Sequence, residues 1–296
     1  MGISGIINVN KPADRTSFSV VAALRKQFGE KKIGHAGTLD PIATGVLPVC
    51  LGQATKIIEY LLDSAKTYVA LIELGITTDT FDRQGKIISK GDTAGISISR
   101  VTDVLHDFQG IIMQVPPAYS ALKLDGKKYY ELARSGMPLE PLPRQVKIES
   151  IEVLSFDSPL LELRVRCGKG TYIRSLANDL GKKLSCGAYL RDLVRTDYGP
   201  FSLECALSMS QIEEAVRHGA LDSILYPIDF PILQWPRVEL TDGQIQAIIH
   251  GHDIALADKN IRNATRCRAY NTQGKFLAVI ESSPQSNMWH PTKVFL

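Results

Sequence analysis

No apolar run in this 296-residue chain is long enough to cross a bilayer as a helix. Its five cysteines, Cys50, Cys167, Cys186, Cys205 and Cys267, are odd in number and never spaced C-x-x-C. That pattern fits reduced thiols in a cytoplasm best. The six histidines are scattered, and His250 with His252 has no nearby acid or thiol to complete a metal site, so no metal is expected. No G-x-S-x-G occurs, no serine is convincingly paired with a histidine, and the phosphate-cradling and dinucleotide glycine fingerprints are missing. The opening "MGISGIINVNKP" lacks a basic segment followed by an apolar one, so no signal peptide is expected. Ile6 stands where a myristoylation signal needs Ser or Thr. A formal net charge of +3 is too small to announce a nucleic-acid binder by itself.

What is present is an ordinary globular composition, 44% apolar and 22% charged, long enough for a large domain with a small companion. The charge is unevenly spread. Between Arg164 and Arg195 stand eight Lys or Arg residues against only Asp179 and Asp192. A second basic segment interleaves Lys123, Lys127, Lys128 and Arg134 with Tyr129 and Tyr130. Cations beside aromatics suit phosphates and unstacked bases; solvated helix faces over core tyrosines are the other reading.

The patterning predicts a strand ending at Pro12, a helix over "TSFSVVAALRKQF" stopped by Gly29, and a second helix over "GQATKIIEYLLDSAK". A strong strand, "TYVALIELG", follows, then a helix capped by Ser99. "QVKIESIEVLSF" and "LLELRVRCGKG" read as paired strands, and "TYIRSLANDLGKKL" as a helix with Ile173, Leu176, Leu180 and Leu184 on one face. Strands and helices mix without regular alternation. The expected fold is therefore α+β, with a mixed, largely antiparallel sheet flanked by helices. Pro227, Pro231 and Pro236 mark an expected linker between a domain at 1–230 and a small β-rich domain at 236–296, with strands around a turn at Gly274.

The chemistry points to one carboxylate. In "GHAGTLDPIATGVLPVCLGQATK" a single acid, Asp40, stands among glycines, small hydroxyl residues and aliphatics. Pro41 pushes Asp40 toward extended backbone, and Gly37 and Gly45 let the segment pass close to a ligand. Such an aspartate caps a helix or closes a turn on one reading, and serves as a nucleophile on the other. A nucleophile must stay ionised, which an arginine fork achieves best, and Arg174 beside Tyr172 in "GTYIRSL" offers one. Spacing alone does not say whether the two meet.

Five blocks, "NVNKPADRTS", the Asp40 block, "KTYVALIELG", "PPAYSALKLDGKKYYELARSG" and "GTYIRSLANDLG…CGAYLRDLVRTDYGPF", resemble in order those of the TruB-type tRNA pseudouridine synthases. The tail resembles the PUA-like RNA-binding module that follows the catalytic domain in bacterial members. The likeness covers nearly the whole chain and is weakest after Trp235. It implies that Asp40 is the nucleophile, that Arg174 pairs with it, and that Tyr68 packs against the target base. His35 is implied to fill the gap left in the RNA stack. Tyr172 and Leu193 are implied to line the substrate pocket, with Lys11 and Pro12 supporting the catalytic loop. Two departures stand out. Asp14 occupies a position where the family usually has glycine, which aspartate tolerates better than most residues. Val194 then Arg195 replaces a frequent pair of arginines, implying one phosphate contact fewer.

The resemblance implies isomerisation of uridine 55 in the T loop of tRNA, without cofactor or metal. It implies no guide RNA and no membrane; a monomer in the cytoplasm is expected. Two alternatives are a non-catalytic tRNA-binding protein on the same scaffold and a guide-dependent, dyskerin-type enzyme, whose long basic extensions this chain lacks.

Overall fold

The computed structural model describes residues 3–117, 141–257, 261, 263–283 and 288–295, together with the backbone of 123–124 and 127–128. Ile6, Ile7 and Val9, all buried, build β1 (Gly5–Lys11), which ends at Pro12 because proline has no N–H to continue a ladder. Helix α1 (Ser17–Phe28) starts at Thr16, whose side chain accepts from Ser19 N, and stops at left-handed Gly29. Strands β2 (Ile33–His35) and β3 (Thr44–Leu51) flank the Asp40 loop. Beyond β3 the expected long helix is a 3-10 turn, Gly52–Ile57, and a short α2 (Ile58–Leu62). Clustered β-branched residues and a left-handed Gly52 (φ 57°) favour the tighter turn.

The central strand β4 (Lys66–Leu74) leads into the hairpin β5 (Ile76–Thr78) and β6 (Ile87–Lys90). Helix α3 (Ile98–Leu105) is capped by Ser97, not Ser99: Ser97 has the extended backbone that a cap needs, and its hydroxyl accepts from Arg100 N. Strand β7 (Gly110–Gln114) precedes the short pair β8 (Lys123–Leu124) and β9 (Lys127–Lys128). The side chains of the tyrosine-interleaved basic segment lie outside the described residues. Strands β10 (Arg144–Asp157) and β11 (Leu160–Cys167) pair antiparallel as expected, and α4 (Ile173–Lys183) packs on β12 (Ala188–Tyr198). Ile173, Leu176, Leu180 and Leu184 are all buried.

The main sheet has nine strands in the order β1-β3-β12-β4-β11-β10-β7, with β2 on β3 and β13 (Phe201–Ser202) on β12. Only the β3–β12 pairing is parallel; the others in that sheet are antiparallel. The expected α+β architecture is therefore the observed one. Helix α5 (Met209–Arg217) carries a Ser208–Gln211 capping box. A second sheet, β14 (Arg237–Glu239), β15 (Arg266–Tyr270), β16 (Phe276–Ser282) and β17 (Trp289–Val294), has its own core of Val238, Ile248, Cys267, Ile280 and Trp289. Ile248 comes from α6 (Asp242–Ile249).

The proline-rich stretch is not a free linker. Tyr226 exchanges backbone hydrogen bonds with Ile6 at 3.0 and 2.8 Å, and Phe230–Ile232 forms a 3-10 turn. Ile232 joins Ile57, Leu61, Tyr198, Val279 and Phe295 in a core shared by both sheets. The apolar residues between the prolines fill this core, while the prolines set its turns. Arg268 fastens the joint, with Nη1 donating to Asp229 Oδ2 (3.1 Å) and Nη2 and Nε donating to Leu233 O (3.0 Å) and Trp235 O (3.1 Å). A chain ending at Gln234 should therefore melt about 5–10 °C below the full protein, from a few kcal/mol of lost apolar burial. Differential scanning calorimetry checks this; equal melting temperatures would mean that the shared core contributes nothing.

Candidate active site

Local structure carries Asp40 to the mouth of a cavity. Gly37 (φ 64°) turns the chain out of β2, and Gly45 (φ 99°) returns it to β3, where a Cβ would lie 2.2 Å from Arg195 O. Only glycine fits that approach. Between them, buried Ser17 donates to Leu39 O (3.2 Å) and accepts from Leu39 N (2.9 Å). Asp14 N donates to Pro41 O at 2.9 Å, with Asp14 in the left-handed region at φ 58°. The glycine-to-aspartate departure is thus accommodated in the conformation that glycine would supply.

Fully buried Lys11 lies under the loop and donates to Pro12 O (2.8 Å), Arg15 O (2.6 Å) and Pro41 O (3.3 Å). It supports the loop without lining the cavity, as exposed Pro12 also does not.

Arg174 meets Asp40 across 134 residues of sequence, Nη2 to Oδ1 at 2.8 Å. The arginine side chain is 5% exposed and the aspartate 31%, so one end of the pair is fixed in protein while the other faces the cavity. Arg174 opens α4, and its strand-side neighbour Tyr172 is clamped by Gln114: Tyr172 N donates to Oε1 (2.8 Å) and Nε2 donates to Tyr172 O (3.0 Å). A second carboxylate, which sequence reasoning left without a role, holds the other face of the guanidinium. Asp82 Oδ2 lies 3.5 Å from Arg174 Nη1, which also donates to Thr80 O at 3.4 Å. Asp82 is 5% exposed and accepts on Oδ1 from Thr80 Oγ1 (2.6 Å) and Gln84 N (3.0 Å). The signal was its "TDTFD" spacing, in which an aspartate folds its own turn.

The cavity measures about 440 Å³. Asp40, Tyr68, Tyr172, Arg174 and Leu193 line it together, as do Lys66, Arg195 and Tyr198. His35, on β2, is not among its lining residues. Burial pushes the His35 imidazole below its usual value, with the Arg195 charge adding to the effect. Lys66 donates to Leu62 O (2.7 Å) and sits 4.6 Å above the Tyr198 ring; burial pushes it down to about 8. Among the described residues, no group of three or more potential metal ligands is present. The arrangement sets the Asp40 carboxylate against a guanidinium, beside the aromatic ring of Tyr68 and the apolar side chain of Leu193, and suits it to attack or to remove a proton.

Burial also pushes Lys11 down to about 8 from 10.5, against the pull of Asp40 and Asp14. Between those values the unfolded chain binds more protons, so the Lys11 contribution to stability grows as pH rises through the window and is lost as pH falls toward 8. Lys11→Met should remove that rise. Urea unfolding of both proteins across the window measures it; the same rise in both would contradict the buried amine.

Comparison with known proteins fits this geometry. A family model for the N-terminal domain of TruB family pseudouridylate synthases matches residues 25–173. A model for the C-terminal domain of tRNA pseudouridylate synthase B matches residues 174–232. The tRNA pseudouridine synthase B of Dehalococcoides mccartyi is 45% identical over 294 residues, 99% of this chain and 97% of the relative. That of Pseudomonas fluorescens is 41% identical, over 95% of this chain and 92% of the relative. Among solved structures, a chain of an H/ACA ribonucleoprotein bound to a substrate RNA containing 2′-deoxyuridine is similar with a TM-score of 0.73 and 26% identity. That match covers 99% of this chain and 85% of that one. On these matches, the chain belongs to the TruB family of pseudouridylate synthases.

Proposed function

We propose that this chain converts uridine to pseudouridine at position 55 in the T loop of tRNA. The observation that carries the reading is the Asp40–Arg174 pair at the mouth of a cavity walled by Tyr68 and Leu193. The reaction breaks the C1′–N1 bond, turns the uracil, and joins C1′ to C5; C5 then gives up its proton and N1 takes one. The nucleotide keeps its composition and oxidation level, so no redox partner or second substrate is consumed. The target uridine must be flipped out of its loop, at a cost of a few kcal/mol. Phosphate contacts to Lys and Arg can offset that cost.

Three routes start from the same ionised Asp40: addition to C6, attack on C1′, or removal of the C2′ proton. In each, Arg174 keeps the carboxylate charged and aimed, Tyr68 stacks on the base, and Tyr172 with Leu193 closes the pocket. His35 fills the space the base leaves behind. Residues 1–230 carry the chemistry, and 236–296 form a module that contacts RNA.

The relatives that match at 45% and 41% identity are named as tRNA enzymes, whereas the ribonucleoprotein chain matches at 26%. That contrast favours an enzyme acting on tRNA without a guide; the further reading, a soluble monomer in the cytoplasm, is part of the proposal and does not rest on it. In the tail, Arg268 is turned into the joint with Asp229, and Arg266 pairs with Glu281 at 2.6 Å. Arg268 is therefore not a free phosphate contact; Lys259 and Arg262 lie outside the described residues.

Mapping pseudouridine in an unmodified tRNA transcript incubated with the protein tests the proposal. Product at position 55 is expected, and an unmodified transcript would overturn it. Asp40→Asn should abolish product while tRNA affinity stays within a few-fold, because the amide keeps the shape and loses the charge. Near-wild-type turnover of that variant would remove Asp40 from the chemistry. Arg174→Lys keeps the charge but loses the planar fork, and single-turnover rates should fall at least ~10-fold, about 1.4 kcal/mol of barrier. An unchanged rate would mean that the fork geometry is not used.

A further inference from the structure

Of the eight cations between Arg164 and Arg195, seven lie within 4.0 Å of a carboxylate. Arg195 is the exception: no carboxylate lies within ion-pair distance among the described residues. It is also the most deeply buried of the eight, 1% exposed, and heads the largest fully buried side chains of the protein. A buried guanidinium without an acid is costly, and a methionine would fill the same space without the desolvation penalty. The resemblance set Arg195 where the family often has the second of two arginines and implied one phosphate contact fewer at that pair. The geometry turns the side chain inward.

Arg195 Nε donates to Val46 O (2.7 Å) and Nη2 donates to Gly37 O (3.0 Å). Those two carbonyls bracket the loop that carries Asp40. The Arg195 backbone lies beside Gly45 on one side and Tyr68 on the other. Its guanidinium stacks on Tyr198 at 4.8 Å and stands 6.0 Å from the Tyr68 ring centre. One planar fork thus touches both ends of the Asp40 loop and the strand that presents Tyr68. We propose that Arg195 is a positioning residue that fixes the Asp40 loop against Tyr68, acting on the reaction through them and not through the RNA phosphates.

A lysine keeps the charge but has no fork, so it cannot span both carbonyls in the same geometry. In Arg195→Lys, amide hydrogen exchange over residues 37–46 should accelerate about 10-fold while β11 exchanges as in the wild type. This arm does not depend on any reaction. The rate arm rests on the tRNA reading above: the single-turnover rate should fall at least ~10-fold while tRNA affinity changes less than ~3-fold. A role in binding phosphates would do the reverse, weakening affinity and flattening its salt dependence with the rate preserved at saturation, and would overturn the proposal. Unchanged loop exchange would overturn it as well, whatever the activity. If Arg195→Lys does not fold, the unmutated protein decides by nuclear magnetic resonance. A slowly exchanging Arg195 Nε–H bonded to the Val46 carbonyl is expected, and rapid exchange of that proton would contradict the bracket.

Discussion

The site depends on a single guanidinium held between two carboxylates. Arg174 is buried, so its charge must be answered within the protein, and Asp82 answers it from below at 3.5 Å. Asp82 is itself fixed by Thr80 and by the turn it closes. With one face of the fork occupied, the other presents Nη2 to Asp40 at 2.8 Å. The Asp40 carboxylate is therefore held by a cation that has little freedom to move. Order passes outward in that sequence, from a buried acid to a buried base to a partly exposed acid. The arrangement holds the Asp40 carboxylate in one orientation at the edge of the cavity.

The rest of the fold supplies rigid attachment points for that triad. Arg174 sits at the start of α4, Asp82 in the β5–β6 hairpin loop, and Asp40 in the loop before β3. These elements meet because β12 runs between β3 and β4, and α4 packs on β12. Backbone contacts from Lys11, Asp14, Ser17 and Arg195 then fix the Asp40 loop. The second sheet is bound into the same body. Val279 and Phe295 share a core with Leu61 and Tyr198, so a strand lining the cavity also touches the tail.

Much of this was legible in one dimension, and the exceptions have physical causes. The Asp40 loop could be read locally, because Gly37, Pro41 and Gly45 each impose a backbone constraint that spacing reveals. The Asp40–Arg174 meeting could not: chemistry offered Arg174 as a partner, but no local rule spans 134 residues, and only the resemblance put the two together. Asp82 was missed because a turn-forming aspartate looks alike whether or not an arginine rests on it. Arg195 was given no role of its own, although strand alternation places it on the same face as the pocket residue Leu193. That clue argued for burial, while the basic composition around it argued for the surface. The proline-rich stretch misled for a similar reason. Proline count suggests a linker, but between the prolines Ile232 is a core residue, and half-buried Ile228 and Phe230 pack against that core.

The central claim is that Asp82 serves Asp40 only by holding Arg174. A double-mutant cycle on single-turnover pseudouridine formation, with Asp82→Asn, Arg174→Lys and the double variant, measures this coupling directly. If the account holds, each single change slows the reaction and the double variant is little slower than Arg174→Lys alone, because the fork that Asp82 aligns is already gone. Losses that multiply across the cycle would mean that the two residues act independently, and the account would be wrong.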